Sequence, residues 1–206
     1  QGGGDPTMNF GLRLAIEKAK AANMPKDNIE RAIKRGTGDL NDGAQLEELV
    51  YEGFGPGGAA VLVEAFTDNR NRSVSEIKNI FAKNGGNMGS AGSVQWMFAH
   101  KSVIRISQEQ MTKILARDEF DLSLIDAGAE DLVESPYGVE VRGSVASLQS
   151  ILEKIKSYTL ETEDAALEWV AKEHMELSQE ESEKLQQLYD ALEDFDDVRA
   201  VYTNEG

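Results

Sequence analysis

Apolar residues recur at helical spacing at the start of the chain. Leu12, Ala15, Ile16 and Ala19 fall at i, i+3, i+4 and i+7, and Ile29, Ala32 and Ile33 repeat the pattern after a short break. Asn23 tolerates a left-handed helix end, Pro25 has its φ preset for a first helical turn, and Gly36 marks a stop. Two helices are therefore expected within residues 1–44. A helical segment of roughly 40 residues is marginal alone, so it is expected to dock elsewhere.

The pattern then changes period. Ala59–Phe66 is a continuous apolar run bounded by Gly-Pro-Gly-Gly and Thr67-Asp68-Asn69, as a buried strand would be. Ser73 and Glu76 have capping-box spacing, Val74, Ile77, Ile80 and Phe81 form a helical stripe, and Asn84-Gly85 ends it. Strands are expected at Ser93–Ala99 and Ser102–Ile106, giving a βαββ block. Its missing helix and strand lie at the far end. Ser178 and Glu181 make a second capping box, Leu185, Leu188, Leu192 and Phe195 a second stripe, and Asp197–Thr203 a strand. Between the two pieces, Met111–Gly128 reads as helix, Asp131–Glu134 and Gly138–Arg142 as a hairpin, Val145–Lys156 as helix and Ala166–Lys172 as strand. Each set has the element count of a small ferredoxin-like α+β sandwich. The expected fold class is α+β: a helical domain over 1–44, one sandwich over 45–108 plus 178–206, and a second inserted at 109–177.

Charge alters this picture more than composition does. The chain has 206 residues, a net charge of −16 and no cysteine, which removes disulfides, thiolate metal sites and cysteine catalysis. No apolar run is long enough to span a membrane. A strong negative charge argues against phosphate-bearing partners, yet the distribution is uneven. Residues 8–36 hold seven Lys/Arg against three acids, a net of +4, whereas 109–177 hold six against sixteen, −10, and 178–206 two against nine, −7. The acidic half is a solvated surface, or else it confines nucleic acid to the basic end.

The candidate chemistry is that of recognition. Gly53-Phe54-Gly55-Pro56-Gly57-Gly58 satisfies G-x-G-x-x-G but precedes a strand, so the dinucleotide and P-loop readings fail on context. It is a tight hairpin-like turn, or a place where Gly55, Gly57 and Gly58 admit a partner's backbone, with Tyr51 and Phe54 as stacking or core residues. Asn69-Arg70-Asn71-Arg72 stands before a helix start, where free N–H groups favour phosphate. The alternative is that these arginines pair with Asp68, Glu76 or acids of the other lobes. Gly85-Gly86-Asn87 opens a long glycine-rich connection that serves binding, a hinge or plain flexibility. Lys26, Arg31, Lys34 and Arg35 lie on the exposed side of the second helix and offer phosphate contacts, in a helix pair comparable to a helix-turn-helix. His100 and His174 are isolated, and no spacing suggests a metal site or a nucleophile paired with a base.

Met24-Pro25-Lys26-Asp27, Tyr51-Glu52-Gly53-Phe54-Gly55-Pro56-Gly57-Gly58, Asp68-Asn69-Arg70-Asn71-Arg72 and Gly85-Gly86-Asn87 together resemble the YebC/PmpR family. That family includes the mitochondrial translational activator of cytochrome oxidase subunit I. The likeness is dense over residues 2–100 and continuous from Gly128 to the end. It implies a helical domain plus two α/β domains, and a non-enzymatic, cytoplasmic, DNA-binding transcriptional regulator. Alternatives are a translation factor that binds ribosomal RNA or the ribosome and relieves stalling at sequences such as proline runs, and a protein-only adaptor. No cofactor, metal, membrane or small-molecule substrate is expected. Family members begin with a strongly basic segment, whereas this chain opens at Gln1-Gly2-Gly3-Gly4-Asp5-Pro6, inside the family pattern, so a basic segment is expected to precede it.

Overall fold

The computed structural model describes residues 3–37 and 46–206, apart from the side chains of Phe10 and Ala21. The expected boundary at 44/45 and the opening Gln1-Gly2 lie outside the described residues. By their contacts the residues form two units, one of 24–99 with 169–206 and one of 1–23 with 100–168. The helical segment contributes one helix to each.

In the first unit, β1 (Glu47–Phe54) and β2 (Ala60–Thr67) form an antiparallel hairpin, paired from Glu47↔Thr67 to Phe54↔Ala60. The Gly-Pro-Gly-Gly segment turns it, with Gly55 N–H donating to the Ala59 carbonyl at 2.8 Å. Helix α3 (Arg70–Lys83) follows, then β3 (Asn87–Met88), and α7 (Gln179–Glu193) and β8 (Val198–Thr203) complete the unit. The strand order is β3-β1-β2-β8. Alternation along β2 sends Val61, Val63 and Ala65 toward Ile77 and Phe81 of α3 and Leu185, Leu188 and Leu192 of α7. Ala60 and Leu62 face the other way, onto Val94 and Phe98.

Strand β1 was not expected. One glycine, Gly53, and three glutamates, Glu47, Glu48 and Glu52, interrupt its apolar character, and the glycine has a packing reason. A Cβ on Gly53 would stand 2.6 Å from the Phe81 ring, so only glycine lets α3 lie this close to the sheet. The expected strands at 93–99 and 102–106 are also corrected. Gln95–Met97 is a short 3₁₀ turn, and Phe98–Ser107 is one strand, β4, which belongs to the second sheet. Nearness in sequence does not place β4 in the sandwich of α3, because it pairs with residues 138–143.

The second unit runs from β4 through α4 (Gln108–Met111) and α5 (Arg117–Asp126) to a hairpin of β5 (Ala129–Ser135) and β6 (Gly138–Gly143). Helix α6 (Leu148–Ser157) and β7 (Asp164–Ala171) follow. The order β5-β6-β4-β7 is that of a ferredoxin-like sheet with β4 as first strand. Its core joins Ile104, Ile106, Val139 and Val141 to Phe120, Leu124, Ile151 and Ile155. Helix α1 (Phe10–Ala21), capped by Asn9, docks through Leu14 on this core and through an ion pair of Lys18 with Asp164. On the opposite face of the sheet, Arg105 binds Glu168 at 2.7 and 2.9 Å, Glu140 at 2.9 Å and Asp164 at 3.6 Å.

Candidate nucleic-acid interface

The basic residues expected to meet phosphate divide by what they already hold. Helix α2 (Lys26–Thr37) buries Ile29 and keeps Ile33 half-buried beside it. At 100° per residue, Arg31, Lys34 and Arg35 then project from the opposite, exposed face together with Asp27. Lys26 is 3.5 Å from Glu30 and remains solvated, whereas Arg31, Lys34 and Arg35 have no ion-pair partner among the described residues.

The Asn-Arg-Asn-Arg corner behaves otherwise. Helix α3 begins at Arg70, four residues before the start that a Ser73 cap would give, because Asn69 is the N-cap and accepts from Arg72 N–H at 3.1 Å. The expected Ser73/Glu76 capping box does not form. Ser73 lies inside the helix, fully buried, and donates to Asp197 at 2.6 Å, with Thr67 Oγ1 2.7 Å from the same hydroxyl. Arg72 reaches the same Asp197 carboxylate at 2.9 and 3.0 Å and Asp68 at 3.1 Å, while Thr67 donates to it at 3.1 Å. Burial disfavours the Asp197 charge, but the bonds from Ser73, Arg72 and Thr67 outweigh it and hold the carboxyl below its ordinary range. Arg72 thus closes the corner of its own sandwich, with Asp68 rather than Glu76 as its local partner. Arg70 and Asn71 are exposed, and Arg70 makes no ion pair among the described residues.

The glycines are explained from inside the fold. A Cβ on Gly55 would meet Leu185 at 2.6 Å, one on Gly57 would meet Leu177 at 2.6 Å, and one on Gly86 the Phe54 carbonyl oxygen at 2.7 Å. Gly58 and Gly85 have positive φ, Gly85 just past the end of α3. Asn87 is exposed on β3. Tyr51 is buried in the helix-side core, which removes it as a base-stacking residue, and Phe54 packs half-buried on the other face. Burial pushes the Tyr51 phenol up, partly opposed by the charge of Arg70.

One residue of consequence had no signal in the sequence. Glu52 is 4% exposed, and its carboxylate accepts from the N–H groups of Gly92, Val94 and Gln95 at 2.6, 2.7 and 2.7 Å. Burial works against the charge, yet the three donors prevail and lower its pKa. They pin the end of the glycine-rich connection to the sheet. His174 Nδ1 lies 3.3 Å from the Glu205 carbonyl oxygen. Among the described residues no helix is long and apolar enough to cross a membrane, and no group of three His, Asp or Glu is placed to hold a metal ion.

Comparison with known proteins adds the kinship. Residues 46–205 match the family model described as the TACO1/YebC second and third domain, and residues 1–39 match the TACO1/YebC protein N-terminal domain. A protein of Herpetosiphon aurantiacus named "Probable transcriptional regulatory protein" is 48% identical over 204 residues, covering 99% of this chain and 79% of its own. Another of that name from Persephonella marina is 47% identical over 206 residues, covering 99% and 80%. The crystal structure of a conserved hypothetical protein from Aquifex aeolicus superposes with a TM-score of 0.87 at 39% identity, over 100% of this chain and 83% of that one.

Proposed function

The chain belongs to the TACO1/YebC family, and from that premise we infer that it is a non-enzymatic regulator of gene expression that binds nucleic acid. The observation that carries this reading is the outward face of α2. Three cations, Arg31, Lys34 and Arg35, stand there exposed and without ion-pair partners among the described residues, in a chain whose net charge is −16. Arg72, Arg105, Arg117 and Arg142, by contrast, are committed to acids. Arg70 beside the start of α3 is a further phosphate donor of the same kind, and Asn71 stands next to it. The relatives' printed name favours transcription as the process, and DNA as the target and the cytoplasm as the place are part of the same proposal. An RNA or ribosomal target is the second reading, favoured by the exposed indole of Trp96, which is 67% accessible.

The test is a salt titration of binding to DNA and RNA by fluorescence anisotropy, with Arg31, Lys34 and Arg35 replaced together by alanine. Each lost phosphate contact lowers the slope of log affinity against log salt by about 0.9 for duplex DNA and about 0.7 for single strands. The triple variant should therefore lose about two to three slope units' worth of salt dependence with its melting temperature nearly unchanged, because exposed charges contribute little to folding. An unchanged slope and affinity would remove α2 as the interface. Crosslinking followed by sequencing of the attached nucleic acid separates DNA from RNA.

A further inference from the structure

Trp96 is 67% exposed on a segment that is held at every other point. Its neighbours Val94 and Phe98 are buried at 0% and 3%, and the Glu52 carboxylate fixes the backbone of Gly92, Val94 and Gln95. Lys172 Nζ donates to the carbonyl of Trp96 itself at 2.7 Å, and the indole Nε1 donates to the Ser93 carbonyl at 3.1 Å. The main chain before and at the residue is fixed, and so is the ring, while the ring surface is left open. This arrangement buries a charge and exposes the largest side chain, two costs that a serine at 96 and an apolar residue at 52 would avoid. What it gains is an aromatic plane that loses little freedom on binding.

We propose that Trp96 is a stacking platform for an unpaired base of nucleic acid, with Lys172 supplying the cation for the adjoining phosphate. The proposal rests on the nucleic-acid reading above and adds that the target presents an unstacked base, since in a duplex both faces of each base are occupied by its neighbours. Three features fit this occupant. Ser90, Ala91 and Gly92, which precede the Ser93 whose carbonyl holds the indole, are small and exposed, so they offer a flat ring and a sugar-phosphate chain little obstruction. The Lys172 amine stands at the carbonyl of the same residue. The apolar sequence neighbours Val94 and Phe98 are buried and Met97 is half-buried against them, so they add no exposed apolar rim to the indole of the kind that encloses a protein-binding hot spot.

The experiment uses the whole chain with a labelled single-stranded oligonucleotide and its duplex, followed by anisotropy and by tryptophan emission. Trp169, the other tryptophan, is half-buried with its Nε1 donated to Glu64 at 2.9 Å, so W169F isolates the Trp96 signal. Single strands should quench Trp96 emission. W96A should weaken single-strand affinity by roughly tenfold, within the range that alanine gives at base-stacking aromatics. W96F keeps a ring without the Nε1 bond and should retain most of the affinity, and duplex affinity should be unchanged in both. Equal single-strand binding by wild type and W96A, or equal loss in W96A and W96F with a lowered melting temperature, would overturn the proposal. If the wild-type chain binds neither strand nor duplex, the nucleic-acid reading fails, and the proposal with it. Shielding of the indole by a protein partner in place of nucleic acid would overturn the proposal alone.

Discussion

Replacing Glu52 with glutamine changes one atom and should loosen the first unit. The carboxylate uses one oxygen for Gly92 N–H and the other for Val94 and Gln95 N–H, all within 2.7 Å. An amide has a single accepting oxygen. Placed where it serves Val94 and Gln95, it turns its NH₂ toward the Gly92 N–H, donor against donor. One bond is lost, the other two lose their charge assistance, and the expected cost is about 2–3 kcal/mol, from about 1.5–3 for a hydrogen bond to a charged group. A drop of roughly 5–10 °C in the melting temperature should follow. The amides of Gly92, Val94 and Gln95 should exchange with deuterium faster than in wild type. The pH dependence has a fixed sign. The Glu52 pKa is lower in the folded chain than its ordinary 4.5, so its stabilisation is present above that value and disappears as pH falls through the lowered one. The difference between wild type and E52Q should therefore be largest at neutral pH and shrink in acid. Wild-type stability in E52Q at neutral pH, with unchanged exchange at the three amides, would refute the anchoring role.

The remaining predictions address the other anchors. R72E should lower the melting temperature of the first unit by setting a third carboxylate beside Asp68 and Asp197, whereas R70E should reduce nucleic-acid affinity and leave the melt unchanged; the two variants are compared in the same assays. R105A should destabilise the second unit by about 1–2 kcal/mol, a figure kept small because the site is partly hydrated, read as a lower urea midpoint. Asp197 is also held below its ordinary range, so D197N should cost stability at neutral pH and progressively less in acid, measured by melts across pH. G86A should cost about 1–3 kcal/mol in a urea melt, since its Cβ would stand 2.7 Å from the Phe54 carbonyl oxygen and 3.1 Å from the Phe81 ring.

The parts legible in the sequence were those with uninterrupted periodicity. The stripe of Leu185, Leu188 and Leu192 is buried as expected, and the Ser178/Glu181 capping box forms in full. Strand β1 was hidden because close helix packing demands glycine at 53 and loop anchoring demands an acid at 52, and both obscure a strand. Asn69 and Ser73 both carry N-cap chemistry; the choice between them is made by Asp197, 124 residues from Ser73, which takes the Ser73 hydroxyl away. The same carboxylate separates Arg72 from Arg70, which are indistinguishable in an Asn-Arg-Asn-Arg run. The exposed side of α2 was legible from spacing alone, whereas phosphate contact by its cations stays a proposal. Trp96 carried no signal, because exposure of an aromatic in an otherwise apolar Val-Gln-Trp-Met-Phe stretch depends on which neighbours turn inward.

The strand order of the first unit bears on how the chain is made. The second unit's sheet is contiguous in sequence, from β4 to β7, so it can close while the ribosome is still adding residues. The first unit cannot: its sheet lacks β8, its helix layer lacks α7, and the Ala60 N–H lacks the Asn204 side chain, 2.8 Å away in the finished fold. Until residues 198–203 emerge, β2 presents an open edge of apolar character, the kind of surface on which nascent chains pair wrongly. A release of the chain before residue 198 would therefore leave one sandwich folded and the other an aggregation hazard.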